Sequence, residues 1–394
     1  MPRQENETSQ RYMIVDPCQT TGPYNFCLLE GVAAEGVDIT YAASEFAHED
    51  RPAPAGVTMV ECFFLTATFA KRFSKSTRLR RILRAAEYPF NLAALVFYVL
   101  VKRIDTVHYM WSIAPKLDGW LFVLLRTMGI RVVYTAHNPF PHEFRQGDAE
   151  KYVRLYKSVD HLIALTEQTA SEVQKACDLP EGQLSVIPHG DYEPLFRLYQ
   201  SNNSLKEEVL RKAAGRKVVA FLGLVRPYKG LEYLVEAFPL VQQKMPETLL
   251  LIAGRVGVGN QQEIEAHIEK HVAAEDRWID LRFLPTPDLK AYVSVMDVLV
   301  MPYVRASQSG NTVMAYTAGV PVVATDVGGL KDMTEDGVTG FLVPPKDPEA
   351  LANAICRTLE DGIYADLSRN ARHVATTKYS WTSIARSTID TYQQ

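Results

Sequence analysis

The sequence predicts an α/β protein built as two Rossmann-like parallel-sheet lobes with a cleft between them. Three observations predict it. Short apolar runs recur along the chain, each closed by glycine, proline or a polar loop and followed by helical spacing, the signature of buried parallel strands alternating with helices. The same order restarts near Lys217, after a charged and irregular stretch. With 394 residues, 47% of them apolar, the chain can bury two cores.

Composition narrows the partners. A net charge of −4 offers no basic field to displace counterions, so a nucleic-acid binder is not expected. Cys18, Cys27, Cys62, Cys177 and Cys356 are scattered, with no CxxC pair, which fits small buried hydrophobes in a reduced cytosol. The first ten residues are polar and carry no signal-peptide pattern. The longest apolar run, 92–101, is shorter than the roughly 20 residues a bilayer span needs.

In chain order, residues 12–15 form the first expected strand and 37–41 the next, joined through a loop containing Gly22 and a helical stretch over 25–35. One glycine is too few for a dinucleotide fingerprint, so the loop is either a ligand contact or a bare turn. Residues 71–84 carry Lys71, Arg72, Lys75, Arg78, Arg80, Arg81 and Arg84, and an apolar aromatic stretch follows to Lys102 and Arg103. A basic amphipathic helix beside an apolar one suits an anionic membrane surface, so 71–103 is the expected membrane contact. Strands are expected at 106–111 and 131–135. The second runs into His137, Asn138, His142 and Glu143, where prolines keep the loop extended. His137 thus sits at a strand's carboxyl end, as a site residue would. Its spacing suits no metal motif, and no metal is expected.

Further strands are expected at 160–165 and 184–188. The first lobe is expected to cover 1–190, a bridge 191–215, and the second lobe 216–377. The second lobe opens with a strand at 217–222 and a loop, 223–230, that carries Gly223, Arg226 and Lys229. A guanidinium fork and a point charge beside a glycine turn can neutralise a diphosphate. Strands follow at 249–253, ending at Gly254, and at 279–284, containing Arg282 and Leu284.

The second lobe is organised around residues 297–335. A strand ending at Pro302 leads through Ser307, Gln308, Ser309, Gly310 and Asn311 into a helix starting near Thr312 and stopped by Gly319. A second strand at 321–325 and a second glycine loop, 326–329, follow at once. Free backbone N–H groups and a partial positive charge at such a loop make a phosphate site, and two in succession suit a diphosphate.

These segments, with 337–343 and the closing Tyr379-Ser380-Trp381, resemble the retaining GT-B glycosyltransferases of the group 1 and family 4 type, which include bacterial mannosyl- and glucosyltransferases. The resemblance implies that Arg226 and Lys229 hold the donor diphosphate of a UDP- or GDP-linked sugar, with Gly22 and Gly223 nearby. Residues 307–312 would hold the distal phosphate and sugar. Gly254, Arg282 and Leu284 would border the base. His137 would face the reacting sugar, and Asn138, His142 and Glu143 the acceptor. It also implies that a last helix, 378–394, packs back on the first lobe, that transfer is metal-independent, and that the acceptor is a glycan or lipid-linked molecule at the cytoplasmic membrane face. The family's two glutamates, eight positions apart, correspond here to Ala306 and Met314, and its arginine after Gly223 to Leu224. A binding subunit without turnover and a phosphate-dependent epimerase or phosphorylase are the competing functions.

Overall fold

The computed structural model describes residues 10–45, 52–70, 76–140 and 147–394. The chain divides into two compact units, one running to Pro188 and including Trp381–Gln394, the other His189–Ser380. The first holds strands β1 (Arg11–Asp16), β2 (Asp38–Ala43), β3 (Val57–Glu61), β4 (Thr106–Tyr109), β5 (Arg131–Ala136), β6 (His161–Ala164) and β7 (Leu184–Val186). Their order is β3-β2-β1-β4-β5-β6-β7, and every pairing is parallel. The second holds β8 (Lys217–Leu222), β9 (Thr248–Ala253), β10 (Arg277–Asp280), β11 (Val298–Met301), β12 (Val322–Thr325) and β13 (Gly340–Val343), in the parallel order β10-β9-β8-β11-β12-β13. Two Rossmann-like parallel sheets are therefore present, as the alternating pattern requires. The order reverses between β1 and β4 and again between β8 and β11, which places a ligand crevice at the carboxyl ends of each pair.

Central strands read as continuous apolar runs because helices cover both sheet faces. β9 and most of β8 are fully buried. The expected strand at 279–284 lies earlier, at Arg277–Asp280. Its partner β9 ends at Ala253, opposite Asp280, so the remaining apolar residues have no ladder to join. β3 has no counterpart among the expected strands, since its exposed edge carries little apolar signal.

Two expected boundaries change. The basic stretch and the apolar stretch after it are one helix, Thr77–Lys102, with Pro89 inside it. Ser76 caps it by accepting a hydrogen bond from the Leu79 backbone N–H. Lys71, Arg72 and Lys75 lie outside the described residues. Residues 191–215 are not a bridge but part of the second unit, forming helices Glu193–Leu198 and Asn203–Ala213. Val209 and Ala213 sit in that unit's core, and this apolar pair decides the placement against a charged surface.

The last helix, Trp381–Gln393, belongs to the first unit and lies on the helix Gly22–Ala34. A Cβ at Gly31 would stand 3.2 Å from the Trp381 carbonyl oxygen, so glycine permits the close approach. Tyr392 reaches the sheet, its hydroxyl 2.7 Å from His108 Nδ1 and its ring 4.9 Å from that of Tyr12.

Candidate functional site

The sequence-predicted residues of the second unit gather at the carboxyl ends of β8 and β11. After β8 the chain turns at Gly223, whose φ of +100° is open to glycine. It continues through Arg226 into a single 3₁₀ turn, Pro227–Lys229, capped by Gly230. That turn is fastened to the end of β11: the Val304 N–H donates to the Tyr228 carbonyl at 2.8 Å. The Lys229 ammonium sits 5.0 Å above the Tyr303 ring, a cation–π contact that aims its charge along the β11 edge. Seen from an ideal Cβ on Gly223, Lys229 Nζ lies at 3.6 Å and the Asn311 side-chain amide at 3.0 Å. Asn311 is held there by donating to the Leu222 carbonyl at 2.7 Å. One ammonium, one amide and one side-chain-free backbone thus meet at the reversal of strand order.

Asn311 belongs to the helix Gly310–Thr317, whose N-cap Ser309 makes no side-chain cap. The Thr312 N–H donates to the Ser309 carbonyl at 3.1 Å, while the positive end of the helix dipole lies at Gly310 and Asn311, beside Lys229. Gln308 Oε1 and the Tyr303 hydroxyl are buried beside this loop without a hydrogen-bond partner among the described residues. His189 and Tyr192, which sequence reasoning did not assign to the site, also reach this helix start. A Cβ on Gly310 would lie 2.8 Å from the Tyr192 hydroxyl and 3.3 Å from His189 Nε2. The two rings stack at 5.4 Å. Burial pulls the His189 pKa down to about 4, so the ring is neutral near pH 7. Its Nδ1 lies 2.7 Å from the Gly190 carbonyl and donates to it, which leaves Nε2 as an acceptor.

Other predicted residues stand apart from this cluster. Thr312 is fully buried, its hydroxyl directed at Met301 Sδ, so the side chain offers a ligand nothing. Ala306 and Met314 are likewise buried in the core, and the Ala306 carbonyl abuts the Gly328 turn. Ser307 is half-buried in the loop between them. Gly254 packs against Gly223, where a Cβ would fall 2.1 Å from the Gly223 carbonyl oxygen, so the loops after β8 and β9 touch through two glycines. Arg282 is engaged by Asp280 at 2.9 Å and Asp288 at 2.6 Å, and Leu284 is buried in the core. Arg226 lines a small apolar cavity of about 230 Å³ with Val225, Leu231 and Val258.

In the first unit, His137 follows β5 and is buried, its ring 5.1 Å from Tyr24 and 6.0 Å from Trp111. Gly22 opens the helix after β1. Asp16, at the carboxyl end of β1, organises that loop by accepting from the Thr21 N–H at 3.1 Å and Asn25 Nδ2 at 2.8 Å, and burial raises its pKa. Asn138 gives its carbonyl to the Tyr156 hydroxyl. His142 and Glu143 lie outside the described residues. No group of three His, Cys, Asp or Glu side chains suited to a metal occurs among the described residues.

Known proteins share both the sequence pattern and the fold. Residues 24–190 match the family model for glycosyltransferase family 4, and residues 216–361 the model for group 1 glycosyl transferases. An uncharacterized glycosyltransferase of Methanocaldococcus jannaschii is 28% identical over 251 residues, which is 62% of each chain. A D-inositol 3-phosphate glycosyltransferase of Corynebacterium glutamicum is 26% identical over 70% of each. Sucrose-phosphate synthase from Thermosynechococcus elongatus superposes with a TM-score of 0.75 at 20% identity, covering 98% of both chains. Anabaena HepE in complex with UDP and glucose superposes at 0.72 and 18% identity, over 98% of this chain and 99% of that one. The chain belongs to the group 1, family 4 glycosyltransferases of the GT-B fold.

Proposed function

We propose that this chain transfers a sugar from a nucleoside-diphosphate sugar, UDP-linked in the first instance, to a hydroxyl acceptor with retention of anomeric configuration. The observation that carries the reading is the meeting of Lys229, Asn311 and Gly223 with the uncapped start of helix Gly310–Thr317. A diphosphate fits such a site because positive charge and N–H donors converge where no side chain blocks the backbone. Anabaena HepE, of the same fold, has been crystallised with UDP-glucose.

In the proposed reaction the acceptor oxygen bonds to the anomeric carbon on the face from which the diphosphate departs. The sugar–phosphate C–O bond breaks, its electron pair stays on the phosphate oxygen, and the acceptor's proton passes to that oxygen. Lys229 stabilises the charge that develops there, and no divalent metal is required. His137, at the carboxyl end of β5, serves the acceptor side. The acceptor is a glycan or a lipid-linked molecule met at the cytoplasmic membrane face.

UDP is expected to raise the melting temperature, and UDP-glucose or a related donor to support transfer that a chelator leaves unchanged. Lys229→Ala is expected to abolish the UDP shift and to lower turnover by about 10²–10³-fold. Absence of any shift with UDP, GDP or their sugars would overturn the reading.

A further inference from the structure

Helices of soluble units turn apolar stripes inward, but two neighbouring helices of the first unit turn a second stripe outward. In Thr77–Lys102 the core face is Tyr88, Leu92, Leu95 and Val99. On the opposite side, at helical spacing, Ile82, Phe90, Phe97 and Val101 are 59%, 77%, 70% and 60% exposed. Helix Pro115–Thr127 repeats the arrangement, burying Leu121, Phe122 and Leu125 while Trp120 (63%), Val123 and Leu124 face outward. An isolated exposed leucine needs no explanation, but several large residues in line on adjacent helices do. By length and composition Arg78–Lys102 passes as a membrane span. Its other face, however, is packed on the sheet, so it lies along a surface and does not cross one.

Charge identifies the surface. Exposed Arg78 and Arg81 stand at one end of the long helix, and Lys102 and Arg103 at the other. Beside the second stripe, a cavity of about 450 Å³ between Pro115–Thr127 and Asp148–Lys157 is lined by Lys116, Trp120, Lys151 and Arg154, against one carboxylate, Glu150. Lys116 Nζ stands 5.4 Å from the Trp120 ring centre, and Lys151 also pairs with Asp148 at 2.7 Å. The two helices are fixed to one another through buried groups. The Tyr88 hydroxyl donates to Asp118 Oδ1 at 2.5 Å, and Asp118 Oδ2 accepts from Ser112. The stripes are thus presented by a stiff surface and not by a loop.

We propose that this face docks on an anionic lipid bilayer, with the exposed apolar stripes entering the interface and the Lys116–Lys151–Arg154 cavity seating a lipid headgroup phosphate beside Trp120. Apolar side chains flanked by cations, with an indole at the boundary, match a surface that is greasy below and negative above. The proposal deepens the membrane placement given above and rests on it, but not on the donor chemistry.

Flotation of the full chain with vesicles tests it. Binding is expected to vesicles of phosphatidylcholine containing phosphatidylglycerol, to weaken with salt, and to fall about tenfold or more with phosphatidylcholine alone. Phe90→Asp with Phe97→Asp is expected to abolish binding, and Lys116→Glu with Arg154→Glu to remove the preference for anionic vesicles. All variants are expected to keep the wild-type melting temperature and UDP response. Equal binding to both vesicle types overturns the proposal, as does a stable dimer in lipid-free solution that Phe90→Asp dissociates. Unchanged anionic preference in the Lys116/Arg154 variant, or glycerol phosphate competing as strongly as vesicles, overturns the headgroup site. A missing UDP response with intact vesicle binding overturns the donor reading alone.

Discussion

Gly230 shows how one residue positions the charge of its neighbour Lys229. Its φ of +62° already favours glycine, and a Cβ there would fall 2.1 Å from the Pro302 carbonyl oxygen. Alanine must therefore part the 3₁₀ turn from the end of β11 and shift Lys229 away from Tyr303. Gly215 supplies the control, with a φ of +84° and no atom within 4 Å of where a Cβ would stand. Gly215→Ala is expected to cost only the left-handed conformation, about 1–2 kcal/mol. Gly230→Ala is expected to cost more in a urea melt and also to weaken UDP binding by about tenfold or more, as a displaced cation would. Equal losses in both variants, with unchanged UDP affinity, would mean that the turn's contact with β11 does not set the donor site.

At the scale of elements, the closing helix Trp381–Gln393 completes the first unit. Its residues Trp381, Ile384 and Tyr392 are buried, and the match to Gly22–Ala34 depends on Gly31. Gly31→Leu has no space for its side chain beside Trp381 and Ala385. It is expected to destabilise the first unit by about 1–3 kcal/mol, seen as an early melting step, while the UDP response of the second unit persists. A single unchanged transition would contradict this. Much of this scale was legible in the sequence. β8, β11 and β12 stand where their apolar runs lie, because runs that short beside glycine or proline suit a strand buried on both faces better than a helix. The glycine loops around Lys229 and Asn311 were legible for the same reason: Gly223, Gly230 and Gly310 leave room that other residues would fill. What could not be read depends on distant partners. Helix Asn203–Ala213 looked like a linker because only Val209 and Ala213 are buried, with Leu205 packed at the edge of the core. His189 joins the site by meeting Gly310 across more than a hundred residues. Arg282 is expected from the resemblance to border the base, yet Asp280 and Asp288 already hold it.

At the scale of the whole chain, the first unit is closed by a contact between a strand and the far end of the sequence. His108 of β4 lies between two hydroxyls, Tyr392 at 2.7 Å from Nδ1 and Thr135 at 2.7 Å from Nε2. Burial, with a smaller contribution from His161, depresses its pKa from 6.5 to about 3. The native ring stays neutral where the unfolded one charges. Its contribution to stability is thus complete above pH 6.5 and is lost as pH falls toward 3, because the unfolded chain binds the proton first. Other buried groups add their own slopes, and the raised pKa of Asp118, about 6, acts in the opposite direction. The total pH dependence is therefore uninformative about any one of them, and a difference between variants isolates the site. His108→Gln keeps a donor and an acceptor between Tyr392 and Thr135 but cannot charge. Between pH 7.5 and pH 5 the wild type is expected to lose about 2 kcal/mol relative to this variant, from one proton taken up below 6.5. Chemical denaturation of both proteins at the two pH values measures it. A constant difference would show that His108 titrates in the folded chain as it does in the unfolded one, and that burial between Tyr392 and Thr135 does not hold the ring neutral.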